Sequence, residues 1–146
     1  MPPGVRSTSS TWCAEAVRTT FQDHFKADLH VAAATDAPWT FEDHKLLDAM
    51  GRPVDQIAAG MDGRVRTSPD RPAWGVDQLL TAEQGLGAVT VDAAWAIGDE
   101  ARRGHLAPGT MGDVTILRGD IATSTPDEIR ALEVVATIVA GNVVYC

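Results

Sequence analysis

The sequence predicts a mixed α/β chain, on three observations. A short apolar run, Leu29-His30-Val31-Ala32-Ala33-Ala34, has little polarity on either face and stops at Thr35-Asp36-Ala37-Pro38. Such a run suits a strand covered on both sides, as in a parallel sheet, and a proline cannot continue a central strand. Thr81-x-x-Gln84 opens a helix with a reciprocal capping pair, in which each side chain satisfies the other residue's orphan amide. From Asp113 onward the chain alternates as strands do and folds back through Gly141-Asn142.

Each element follows in order. Residues 1–12, rich in Pro, Gly, Ser and Thr, read as a flexible leader; Ala14, Val17, Phe21 and Phe25 recur at helical spacing, so Cys13 to Ala27 reads as a helix. If Leu29–Ala34 is a strand, Asp36 falls just past its C-terminal end, the edge at which α/β folds bind ligands and do chemistry. Met50-Gly51-Arg52-Pro53 reads as a turn, Val54–Ala59 as a short helix, and Gly63–Trp74, with Thr67-Ser68-Pro69-Asp70-Arg71-Pro72, as a loop. The helix after Thr81 runs Ala82–Val89, weakened by Gly85 and Gly87 at roughly 1 kcal/mol each. Asp92 is placed to cap a second helix, Ala93–Ile97. Gly104-His105-Leu106-Ala107-Pro108-Gly109 is punctuated as a turn, and Asp113–Leu117 alternates as a strand. Ser124-Thr125-Pro126-Asp127-Glu128 is a cap followed by proline at the first helical position. Val134–Ala140 and Val143–Tyr145 then form a hairpin.

Composition excludes several classes. The chain has 146 residues, with 12 Lys plus Arg against 20 Asp plus Glu, a net charge of −8. No basic field is available to displace phosphate counterions, so nucleic acid is excluded as a partner; Arg64, Arg66 and Arg71 are the one local concentration of arginine. No apolar run approaches the ~18 residues of a membrane span, and the first residues lack the apolar middle of a signal peptide. Cys13 and Cys146 are therefore expected as free thiols in a reducing cytoplasm. A complete (β/α)8 barrel, at ~250 residues, does not fit.

No self-contained active-site motif is present: there is no G-x-G-x-x-G, phosphate-binding loop, H-E-x-x-H or G-x-S-x-G. Gly85-Leu86-Gly87 lies inside a capped helix and is not a nucleotide loop. Of the four histidines, His30 reads as a hydrogen-bonded structural residue rather than a ligand, His24 as solvated, His44 as a rim residue and His105 as part of a turn. Trp39, Phe41 and Trp74 either line a pocket mouth or pack locally. Asp36 is the strongest single candidate. A carboxylate in that place binds a metal or works as acid and base, or it caps the turn with Ala37-Pro38. One carboxylate does not make a catalytic metal centre, which takes about three protein ligands and an open position.

A family resemblance rests on four stretches in series. Ala33-Ala34-Thr35-Asp36-Ala37-Pro38 resembles the end of the last barrel strand of metal-dependent amidohydrolases. Leu80-Thr81-Ala82-Glu83-Gln84-Gly85-Leu86 followed by Thr90-Val91-Asp92-Ala93-Ala94 resembles their L-T-x-E-E-A-L and T-x-N-A-A helix pair. Gly104 through Leu117 resembles their G-x-L-x-P-G-x-x-A-D-x-x-x-L signature, and Val135 to Tyr145 their closing hairpin. The amidohydrolase-3 type is the nearest branch. Asp92 stands for the usual Asn, Gly112 for Ala and Gly85 for Ala; residues 1–27 match nothing.

The resemblance implies a C-terminal fragment of a (β/α)8 barrel followed by part of a small β-sandwich. Residues 28–97 would hold the last strand and following helices, and residues 98–146 the sandwich segment. It implies a hydrolase of carbon–nitrogen bonds other than peptide bonds, acting on a small amide-type substrate through water activated by a divalent metal, zinc above all. Asp36 matches the carboxylate that binds metal or water and shuttles the proton. The family's H-x-H and middle-strand histidines have no counterparts here, so the isolated chain is expected to be inactive, and to self-associate through exposed barrel surface. The alternative is a stand-alone, non-catalytic α+β module for binding or oligomerisation.

Overall fold

The computed structural model describes residues 21–34, 52–64 and 75–146. The expectations for the leader, for Cys13–Thr20, and for Asp36, Trp39, Phe41, His44, Arg66, Arg71 and Trp74 lie outside these residues.

The first helix, α1, spans Phe21–Lys26. It ends where Asp28 takes a left-handed conformation, φ 57°, while Asp28 and Leu29 donate their amides back to Phe25 and His24 at 3.1 and 3.0 Å. This is a Schellman termination, with Asp in the seat more often given to Gly. Gln22 secures α1 to the body of the protein. Its backbone amide donates to Gln78 Oε1 at 3.0 Å, and its side-chain Nε2 donates to Leu79 O at 2.6 Å and Gln84 Oε1 at 2.8 Å.

Residues 29–34 are not a strand. They carry no ladder, and Leu29 is 52% exposed. A parallel strand needs neighbours to take its amides and carbonyls, and none lies beside this stretch among the described residues.

Helix α2, Pro53–Asp62, extends the short helix expected at 54–59. Proline opens it and Gly63, at φ 70°, closes it, its N–H donating to Ala59 O. It is the central helix, burying Val54, Ile57 and Ala58. A 3-10 turn, Val76–Gln78, leads into α3, Ala82–Val89, whose Thr81–Gln84 capping box forms as expected. Gly85 has a packing role: a Cβ there would lie 3.0 Å from Ile57 Cγ2 and 3.3 Å from Ile57 Cα. The absent side chain lets α3 approach the backbone of α2.

Helix α4, Val91–Ala96, starts one residue after α3 ends, with Thr90 at the boundary. Asp92 was expected to cap this helix from outside. It lies inside the first turn instead, and its carboxylate is engaged elsewhere.

The C-terminal part is a three-stranded antiparallel sheet in the order β1-β2-β3, made of Val114–Leu117, Val134–Val139 and Asn142–Tyr145. Between β1 and β2 lies helix α5, Pro126–Arg130, opened by a second capping box, Thr125 with Glu128. The hairpin turn is shifted by one residue from the Gly141-Asn142 of the sequence reading. Ala140 and Gly141 are the two positive-φ residues, at 50° and 78°, the signature of a type I′ turn. Tertiary bonds account for the shift. Ala140 N–H donates to Asp113 Oδ1 at 2.7 Å and Gly141 N–H to Gly112 O at 3.0 Å.

The core is a cluster of Val54, Ile57, Ala58, Ile129 and Leu132, with Met61, Val89, Leu117 and Ile121 packed on it. It therefore joins α2 to α5 and to the start of β2. Two arginines brace the same junction. Arg52 donates to the carbonyls of Arg130 and Leu132 at 2.6 and 3.1 Å, and grips the buried Asp55 carboxylate at 2.8 and 3.2 Å. Arg130 forms a two-pronged pair with Asp62 at 2.8 and 2.9 Å, the geometry that a planar guanidinium suits.

Candidate functional site

The segment leading to Asp36 crosses the corner where α3 meets α4. Ala33 N–H donates to Ala88 O at 2.9 Å, taking one of the carbonyls left free at the end of α3. Three residues earlier, His30 Nδ1 lies 2.6 Å from Asp92 Oδ1. The imidazole stacks on the Trp95 indole, with centroids 4.3 Å apart and planes at 19°. Asp92 and Trp95 are both on α4, one turn apart, so both reach the same ring. The Asp92 side chain is 11% exposed and that of His30 47%. The sequence reading of His30 as a hydrogen-bonded residue holds, although it lies in an exposed stretch rather than a buried strand. Asp92 as its partner was not foreseen.

The other two described histidines, His24 and His105, do not join this group. His105 Nδ1 lies 3.1 Å from Arg103 O, in an exposed turn, and His24 is half-buried on α1. Among the described residues, no three His, Cys, Asp or Glu side chains cluster so as to hold a metal ion. The donor set a divalent metal requires is thus not assembled in the described part of the chain.

A cleft of about 880 Å³ opens between the helices and the sheet. Its lining is mainly apolar, including Ile57, Leu86, Val89, Ile97, Leu106 and Leu117. Ile97 and Leu106 are 74% and 78% exposed at its rim. Its edge is held by Arg103, which pairs with Asp99 at 2.7 Å and Asp113 at 2.9 Å.

Among the described residues, the fold biases the protonation of the Asp62 and Glu128 carboxylates and the Arg130 guanidinium. Burial pushes the Asp62 carboxyl up, but hydrogen bonds from Arg130 and the Arg64 amide, with both guanidinium charges, hold it below the ordinary carboxylate value. The same pairing raises Arg130, against its own burial. Glu128 is lowered by the amide and hydroxyl of Thr125 in its capping box. These are groups that hold helices together.

Against known families, the model described as amidohydrolase family, of the amidohydrolase-3 type, matches residues 14–145. The chain belongs to the amidohydrolase family. A protein of Bacillus subtilis (strain 168) named as an amidohydrolase, YtcJ, is 29% identical over 101 residues, which is 67% of this chain and 19% of that protein. The chain thus matches about a fifth of the length of that relative. No solved structure matches.

The amidohydrolase motifs quoted from the sequence have identifiable structural work. Thr81 and Gln84 cap α3. Gly104, at φ 85°, leaves room that a Cβ would fill, 2.8 Å from Val91 Cα and 2.9 Å from Thr90 O. Gly109 takes φ 95°, and Asp113 receives both Ala140 N–H and Arg103. These motif residues specify how the loop and hairpin dock on the helices. The bracing roles of Arg52 and Arg130 have no signal in the sequence, where Arg52 reads only as part of the Met50–Pro53 turn.

Proposed function

We propose that this chain is the C-terminal part of a metal-dependent hydrolase acting on carbon–nitrogen bonds other than peptide bonds in a small amide-type substrate. The family match over residues 14–145 carries this reading. Asp36 is the residue assigned to the chemistry, as metal ligand and as the carboxylate that accepts the water's proton and returns it to the leaving amine. Zinc is the metal proposed, and the remaining ligands belong to barrel strands outside this chain. Residues 28–97 are taken as the end of the barrel and 98–146 as the sandwich segment, in a cytoplasmic protein. The described helices are too short and too polar to cross a membrane.

The apolar cleft supports the reading. Ile97 and Leu106 at its rim, with Trp95 and Val91 half-exposed nearby, make the kind of surface that is covered in a longer protein. The isolated chain is expected to self-associate through such surface, to bind zinc weakly and to hydrolyse nothing. Calorimetric zinc titration, with an amidase assay on the purified 146-residue chain, tests this. Tight stoichiometric zinc with turnover would overturn the assignment of missing ligands. A reading frame upstream of Met1 that encodes barrel strands and an H-x-H would support the parent enzyme.

One observation favours the stand-alone module. The described part has its own core and two complete capping boxes. A monomeric chain with a single cooperative melt would favour that module, and a sticky, partly molten one the fragment.

A further inference from the structure

Residues 29–34 have no ladder, yet they cross the α3–α4 corner along a defined path. Beyond the Leu29–His24 bond that ends α1, the described contacts that tie this stretch to the corner are the Ala33–Ala88 backbone bond and the His30 side chain. We propose that His30 is a positioning residue: held by Asp92 and stacked on Trp95, it seats the chain leading into Asp36 against that corner.

The chemistry of Asp92 fixes how His30 is held. Its carboxylate is nearly buried, and the hydrogen-bond partner described for it is the imidazole. An ionised carboxylate only accepts, so the proton of a neutral ring lies on Nδ1 and the lone pair on Nε2. Indole stacking restrains the remaining freedom, rotation of the ring about its own bond. Removing the imidazole leaves Asp92 without that donor and leaves one described backbone bond, Ala33 to Ala88, between the stretch and the α3–α4 corner. His30 precedes Asp36 by six positions; the chemical role of Asp36 rests on the function proposed above, and the seating of residues 29–34 does not.

Two NMR measurements on the full 146-residue chain test the seating. Long-range proton–nitrogen correlation should show His30 protonated at Nδ1 and bare at Nε2 when the ring is neutral; the opposite tautomer would overturn the proposal. This uses the unmodified protein, so a variant that fails to fold does not remove it. Amide exchange is the second readout. His30→Ala should speed exchange at Ala33 about tenfold or more, as loss of a bond to a charged group predicts. Ala94, whose amide bonds Thr90 O at 2.9 Å inside α4, should keep its rate.

Asp92→Leu should behave like His30→Ala. Asp92→Asn keeps an acceptor oxygen and should stay within about threefold of the parent rate. An Ala33 rate within about twofold of the parent in His30→Ala would overturn the proposal. All of these readouts are made without metal. A failure of the Asp36 assignment would register separately, as zinc binding that Asp36→Asn leaves unchanged.

Discussion

Two regions of the chain are held by different physics. The junction of α2, α3 and α5 is apolar and close-packed, with Gly85 letting two helices approach and Ile57 and Ile129 fully buried. The stretch from α1 to Ala34 contributes no buried residue and is fastened by polar tethers: Gln22 at one end, His30 and the Ala33 amide at the other. Close packing makes a region costly to perturb anywhere, because a deleted methyl leaves a void. A tethered segment concentrates its order in a few bonds and is free between them. The segment leading to Asp36 is of the second kind.

That contrast can be broken or sharpened by substitution. Ile57→Ala should be the largest effect, about 4 kcal/mol in urea unfolding, because Ile57 is 1% exposed at the centre of the core. Gly104→Ala should cost about 3 kcal/mol, from left-handed strain plus collision with the backbone of Thr90 and Val91. Gly98→Ala is its control: φ is 72° but nothing lies within 4 Å of the new Cβ, so about 1 kcal/mol of strain is expected alone. Equal costs at the two glycines would remove the packing role given to Gly104.

The Asp62–Arg130 pair gives a pH test of the packed region. Asp62 is held below its ordinary value of 3.8, so its contribution is fully present above that value and is lost as pH falls through the lower, folded-state value. Melting temperature should therefore drop on acidification below about pH 4, and Asp62→Asn should flatten that part of the profile. A profile unchanged in Asp62→Asn would count against the pair as a source of acid sensitivity. The smallest effect is expected in the tethered region. Gln22→Ala should cost about 1 kcal/mol or less, with faster amide exchange confined to α1.

What the sequence made legible follows from the range of each interaction. The capping box at Thr81, the cap at Thr125 with Pro126 in the first helical position, and the hairpin are decided within a few residues and read as such from the sequence. Pro53, which reads as the end of a turn, instead opens α2, and the Glu128 half of the second capping box adds to the cap that the sequence shows. The hairpin turn slipped by one because Asp113, 27 residues away, takes the Ala140 amide. Leu29–Ala34 is strand-like in composition, but a strand is a property of neighbours. His30 with Asp92, 62 residues apart, and Arg52 with Leu132, 80 apart, leave no local trace. Asp36 stands out by its position after an apolar run, where a chemical role and a turn cap read equally well; the resemblance favours the first, and the residue lies outside the described part of the chain.

The bracing of α2 by α5 has a consequence for how the chain is made. Ile57 leaves the ribosome 72 residues ahead of Ile129, which at ~5–20 residues per second is a delay of roughly 4–14 s. Throughout that interval the apolar face of α2 has none of its α5 partners, and Asp62 waits for Arg130. The nascent chain thus carries an open hydrophobic stripe for far longer than a helix takes to form, and translation speed across residues 58–129 sets how long chaperones have to find it.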